Sequence, residues 1–148
     1  MAPSIARYAL AYLFWAISMT LAFVALLVSR SSIMMMLGAT GWDRYFVHAL
    51  NQFGFLFLAI FGLAVIVFTE HFYRTGVEKN RLFARFFLIT LLELLFLTLM
   101  HISGLISQVI LGFFIPASLL IVVGEVILVL GLFWLYRRAS RQAVTPVV

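Results

Sequence analysis

Residues 85–108 read RFFLITLLELLFLTLMHISGLISQ, and this stretch decides the fold. A run of about 20 mostly apolar residues is long enough to cross a bilayer as a helix. The stretch nevertheless contains Glu93 and His101. An ionisable side chain at membrane depth is rare and costly, so each of these residues needs a polar partner or a functional role. We therefore predict a transmembrane helix with one side facing protein.

Helical spacing gathers the polar and small residues of this stretch on one stripe. Steps of three and four residues keep side chains on the same face of a helix. The stripe comprises Thr90, Glu93, Leu97, His101, Gly104 and Gln108. The opposite face is rich in Leu, Phe and Ile and is expected to contact lipid. Two interpretations of Glu93 stay open: a protonated carboxyl group bonded to a neighbouring helix, or a proton-relay or ligand-binding group.

The composition places the whole chain in a membrane. Of its 148 residues, 66% are hydrophobic and only 10% are charged, and the mean hydropathy is +1.19. A soluble domain is much less apolar on average. The net charge of +5 does not indicate a nucleic-acid partner, because the basic residues flank apolar stretches. There is no cysteine, which excludes disulfides and thiol chemistry, and we expect no metal site.

The apolar runs predict four spans within a single transmembrane domain, residues 1–148. Their approximate bounds are 8–28, 45–74, 81–108 and 116–137. Because the links are short, we expect an all-α, antiparallel four-helix bundle. Residues 29–43 are expected to form a loop, with Met34–Met36 in an interfacial segment of unassigned role. Gly76 is expected to end the second helix, Pro116 to begin the fourth, and residues 142–148 to form a tail.

Basic residues are distributed unequally between the two ends of the predicted bundle. Eight would lie at the end that holds both termini: Arg7, Arg74, Lys79, Arg81, Arg85, Arg137, Arg138 and Arg141. Only Arg30 and Arg44 would lie at the other end. Cytoplasmic loops carry an excess of Lys and Arg, so both termini are expected in the cytoplasm of a multi-pass cell-membrane protein of the bacterial inner-membrane type.

The rise per residue of a helix gives the depth of each polar residue below the ends of the predicted spans, and these depths define two groups of polar residues. His101 is expected near Asn51, Gln52 and His48 in the outer leaflet, with a partner from the second helix or from a neighbouring subunit. Glu93 and Glu125 are expected near the middle, about 6 Å apart in depth. Because an unpaired buried charge is very costly, both acids are expected to be largely uncharged at neutral pH unless a partner subunit supplies a cation.

Small residues predict where helices approach closely. Four glycines, Gly62, Gly104, Gly124 and Gly131, lie inside the predicted spans. In the fourth span, Ala117, Gly124 and Gly131 are spaced seven apart and form a seam of small residues. Such residues let helix backbones approach closely in membranes. We expect these positions to be helix-packing sites.

No catalytic motif is present: there is no Ser/His/Asp spacing, no HExxH and no phosphate-binding loop. We therefore predict a small accessory subunit of a larger membrane complex, in a respiratory or photosynthetic electron-transfer assembly, with lipid and other integral-membrane subunits as partners. One alternative is a proton-coupled homo-oligomeric transporter using Glu93 and Glu125. Another is a quinone-binding or haem-binding subunit using His101, although no cofactor is required by any motif.

Overall fold

The computed structural model describes residues 5–142 and contains four α-helices there. They are α1 (Ile5–Ala39), α2 (Arg44–Glu78), α3 (Leu82–Ile110) and α4 (Pro116–Gln142). Each is long and apolar enough to cross a membrane. The chain is therefore an all-α, multi-pass membrane protein in a lipid bilayer. The predicted tail beyond Gln142 lies outside the described residues.

Helix α1 is longer than the sequence predicts. It spans 35 residues and continues to Ala39, so most of the segment expected as a loop is helical, including Met34–Met36. The hydroxyl groups explain why the polar segment after Val28 does not end the helix. Ser29 Oγ donates a hydrogen bond to the Ala25 carbonyl at 2.6 Å. This bond satisfies the hydroxyl group while the backbone of Ser29 stays helical. The chain turns only near Gly41, whose φ of 66° is a left-handed conformation that suits glycine.

The sequence predicts that Gly76 ends α2. In the structure the helix continues past Gly76, and the chain turns at Asn80 instead. Helix α2 continues to Glu78, and Asn80 takes a left-handed φ of 53°, which asparagine tolerates better than most residues. The Arg81 amide donates to the Gly76 carbonyl at 2.9 Å, and this closes the helix end as in a Schellman motif. Gly76 itself lies against α3, where a Cβ atom would be 2.8 Å from Arg85 Cδ.

The connection between α3 and α4 is closed by Gln108 and Gly112. Gln108 Nε2 donates to Ser118 Oγ at 3.1 Å, so its side chain joins the end of α3 to the start of α4. Gly112 has a φ of 79°, and the Phe113 amide donates to the Gln108 carbonyl at 3.1 Å. Helix α4 begins at Pro116, as the sequence predicts.

Helix α3 occupies the centre of the packing and contacts each of the other three helices. One cluster of buried residues joins α1, the end of α2 and the start of α3: Ala11, Tyr73, Val77 and Leu82. A second joins α1 to α3, with α4 side chains packed against it: Ala25, Leu94 and Leu97. Helix α4 packs chiefly on α3, and most of its apolar side chains stay exposed. Much of its surface is thus left for lipid or another chain.

Candidate functional site

The best-defined polar contact within the helices joins α3 to α4. His101 Nδ1 lies 2.7 Å from Glu125 Oε1, and the two side chains are only 27% and 10% exposed. The sequence predicts that His101 faces protein, with a partner from the second helix or from a neighbouring subunit. In the structure the imidazole lies against Glu125, so the partner belongs to α4. The pair can share a proton, since either protonation of the imidazole or protonation of the carboxyl group leaves a hydrogen bond between them.

The turn between α3 and α4 explains why these two residues meet. His101 lies nine residues before Ile110, where α3 ends, and Glu125 lies nine residues after Pro116, where α4 begins. At about 1.5 Å per residue, both lie roughly 13 Å from the turn. The sequence predicts that the third span ends at residue 108, two residues before α3 ends at Ile110, and so places His101 nearer the end of its helix than the structure does.

The other residues expected near His101 have local partners instead. Gln52 Nε2 lies 3.2 Å from His48 Nε2, one turn away on α2. Arg30 Nε donates to Asn51 Oδ1 at 3.4 Å, which joins α1 to α2. Both contacts are solvent-exposed in the isolated chain. His48, Asn51 and Gln52 therefore bond to residues other than His101, and the predicted group in the outer leaflet is not formed among the described residues.

Glu93 occupies a second polar position, between α1, α2 and α3. Both of its carboxyl oxygens are buried and have no hydrogen-bond partner among the residues the structure describes. The Ser18 hydroxyl is its polar neighbour and also lies 2.7 Å from the Tyr73 hydroxyl, in a bond where either oxygen can be the donor. Glu93 is not paired with Glu125, whose Oε1 is taken by His101. The expected meeting of the two acids is thus not found within residues 5–142.

Ser18 and Tyr73 were not singled out as site residues by the sequence. Both are almost completely buried, at 1% exposure each. Ser18 lies among small residues on α1, and Tyr73 lies where an aromatic residue at the membrane interface is expected. A polar residue on a small-residue face is the signal that could have marked Ser18, because such a face packs against another helix.

The four predicted packing glycines fall into two classes. A Cβ atom on Gly62 would lie 3.1 Å from Leu26 Cδ1, and one on Gly104 would lie 3.2 Å from Ser32 Oγ. These two glycines therefore face α1 at close range. Gly124 and Gly131 have no atom within 4 Å of the Cβ position in the described part of the chain. Their seam is left uncovered.

These features define a small multi-pass membrane protein whose helices contain one interhelical His–Glu pair and one unpaired buried carboxyl group. Comparison with protein-family models, with curated proteins and with solved structures gives no match.

Proposed function

We propose that the protein is an integral-membrane subunit that assembles with transmembrane helices of other chains through α4. The uncovered seam on α4 carries the proposal. Ala117 and Gly131 are exposed and Gly124 is partly exposed, and neither glycine has a neighbour at its Cβ position among the described residues. A lipid-facing helix has no need of glycine, which weakens a helix by about 1 kcal/mol relative to alanine. Close helix–helix contact is the usual reason for small residues in a membrane helix.

The position of the seam supports the same proposal. Glu125, Val129 and Leu132 face the rest of the chain, whereas residues 117, 124 and 131 lie about a quarter-turn away on the helix. A partner helix could therefore contact α4 without displacing α3. The apolar connection before α4 extends this surface, since Phe113, Phe114 and Ile115 are 44%, 51% and 47% exposed.

The excess of basic residues at one end sets the orientation of the proposed subunit. Eight of the ten Lys and Arg residues lie near the termini, in the α2–α3 turn or within the last two turns of α2 and the first turn of α3. Both termini are therefore placed in the cytoplasm, with the four helices crossing in alternating directions. Turns of three to five residues between consecutive helices support the alternation.

Purification in mild detergent followed by mass spectrometry tests the assembly. Transmembrane companions are expected with the wild-type chain and should be lost from Gly131→Leu, because a larger side chain blocks close approach. Leucine also favours the helix more than glycine, so the monomer should not be weakened. Val126→Phe is the matched control, since it adds bulk on the other flank of α4. Equal recovery of companions with both variants, or a wild-type chain that purifies alone, would contradict the proposal.

Proton-coupled transport is a second candidate, and the His101–Glu125 contact favours it. Two ionisable groups 2.7 Å apart between apolar helices are the kind of feature that marks proton pathways in membranes. The purified chain in vesicles containing a pH-sensitive dye would then pass protons, and Glu125→Gln would abolish the flux while leaving the protein folded. Proton flux equal to that of protein-free vesicles would remove this candidate.

A further inference from the structure

A cavity of about 330 Å³ lies between α1, α2 and α3, beside Glu93. Its walls are almost entirely apolar. Helix α1 contributes Ala22, Ala25 and Leu26, and apolar side chains such as Leu58 of α2 and Phe96 of α3 complete the walls. Cavities of about 300–1,000 Å³ with mostly apolar walls and a few polar groups are typical small-molecule sites.

The helix packing explains why this space is open. Helices α2 and α3 are held together near their shared turn, where Arg85 donates hydrogen bonds to the Phe72 carbonyl and to Thr75 Oγ1. Gly76 permits this close approach. Further along, the two helices make few contacts with each other, and the cavity lies between them. Phe61 and Leu92, which line it, are 58% and 54% exposed, so the cavity opens sideways towards lipid.

Glu93 gives this apolar cavity a single ionisable group. Its two carboxyl oxygens are shielded from the open space and have no hydrogen-bond partner in the described part of the chain, so the side chain must turn for the carboxyl group to meet a ligand. The nearby Ser18 hydroxyl also contacts the Tyr73 hydroxyl, where either oxygen can be the donor, so Ser18 can donate to at most one of the two carboxyl oxygens. A buried acceptor left unpaired costs about 1–3 kcal/mol, and more when it is charged. A bound group that donates hydrogen bonds to the carboxyl would remove this cost.

We propose that this cavity binds a lipophilic amine that enters from the bilayer. Its ammonium group pairs with Glu93, and its apolar part fills the space between α2 and α3. Charge complementarity selects the amine, because the residues that line the cavity include one acid and no cation. The walls select a hydrophobic body, and the lateral opening requires a ligand that dissolves in lipid. The proposal does not depend on the assembly of α4 with other chains.

The test compares two probes of the same shape, 4-phenylbutylamine and 4-phenylbutanol. The purified full-length chain is placed in nanodiscs of phosphatidylcholine, which has no net charge to attract the amine. Binding is followed by calorimetry and by the rise in unfolding temperature, since a ligand that binds only the folded state stabilises it. The wild-type chain should bind the amine in preference to the alcohol.

Two variants and one control locate the binding. Glu93→Gln should weaken amine binding by more than about tenfold, because the ammonium group loses its charged partner, and should leave alcohol binding unchanged. Leu58→Trp should reduce binding of both probes, since it fills the cavity. Glu78→Gln, which removes an exposed carboxyl group outside the cavity, should bind as the wild type does.

Three results would overturn the proposal. Equal binding of amine and alcohol by the wild type would show an apolar site that does not use charge. Unchanged amine binding by Glu93→Gln or by Leu58→Trp would place the amine elsewhere. If Glu93→Gln does not fold, the wild-type comparison of the two probes and the Leu58→Trp variant still decide the outcome.

Discussion

His101 Nδ1 and Glu125 Oε1 lie 2.7 Å apart and form a polar link between α3 and α4 about two turns from the Gln108–Ser118 bond. Helix α4 has few buried residues of its own, and Glu125 is among them at 8% exposure. The link therefore fixes a helix that is otherwise held mainly by apolar contact with one neighbour. Together with the turn at residues 111–115 and the apolar contacts of α4, it holds the rotation of α4, and with it the direction in which the Gly124–Gly131 seam faces.

Removing both partners of the His101–Glu125 pair should destabilise the protein by less than the sum of the two single removals. His101→Leu leaves a buried carboxyl group unpaired, which costs about 1–3 kcal/mol. Glu125→Leu leaves the imidazole unpaired in the same way. The double variant removes both polar groups, so its loss in the free energy of unfolding should be smaller than the sum of the two single losses. Unfolding in mixed micelles measures all three, and strict additivity would show that the pair does not interact.

Tyr73→Phe should weaken the contact between α1 and α2. The Tyr73 hydroxyl lies 2.7 Å from Ser18 Oγ, and both residues are 1% exposed. Phenylalanine preserves the ring but leaves the serine hydroxyl without this partner, so we expect a loss of about 1 kcal/mol in the free energy of unfolding. Tyr45→Phe is the control, because Tyr45 is 87% exposed. If the two variants unfold alike, the Ser18–Tyr73 bond contributes nothing measurable.

Gly76→Ala should destabilise the α2–α3 turn, whereas Gly54→Ala should not. A Cβ atom at position 76 would lie 2.8 Å from Arg85 Cδ. Arg85 would have to move, and its hydrogen bonds to the Phe72 carbonyl and Thr75 would weaken. We expect a loss of about 1–2 kcal/mol. Gly54 has open space at its Cβ position, so alanine there should be neutral or stabilising because it favours the helix. The unfolding temperatures of the two variants test this prediction: Gly76→Ala should unfold below the wild type, and Gly54→Ala should not.

Cysteine labelling should place the two turns on opposite sides of the membrane. The chain has no cysteine, so Thr40→Cys and Lys79→Cys each introduce a unique thiol at an exposed position. A membrane-impermeant maleimide added to intact cells stripped of their outer membrane should label position 40 only. Position 79 should react after the membrane is opened, because the basic end faces the cytoplasm. The reverse pattern would refute the orientation.

Much of the helix pattern could be predicted from the sequence because it depends on local properties. Hydropathy identifies the four apolar helices, and spacing along α3 identifies the face that carries Glu93 and His101. The end of α1 was misplaced because Ser29 and its polar neighbours resemble a loop by composition. Their hydroxyl groups bond to carbonyl groups of the same helix instead, as Ser29 does to Ala25, and composition alone does not distinguish these outcomes.

The sequence by itself determined that this is a four-helix membrane protein with ionisable residues on an inward stripe, since both properties follow from hydrophobicity and the helical repeat. The tertiary structure decided which polar groups meet. Glu125 lies against His101 because the turn at residues 111–115 sets the register of α4 on α3. Glu93 lies about two turns of α3 before His101. At that level α3 packs against α1 and α2, so Glu93 lies beside Ser18 and the cavity. Contacts between helices depend on their offset and rotation, and packing across the whole chain fixes both.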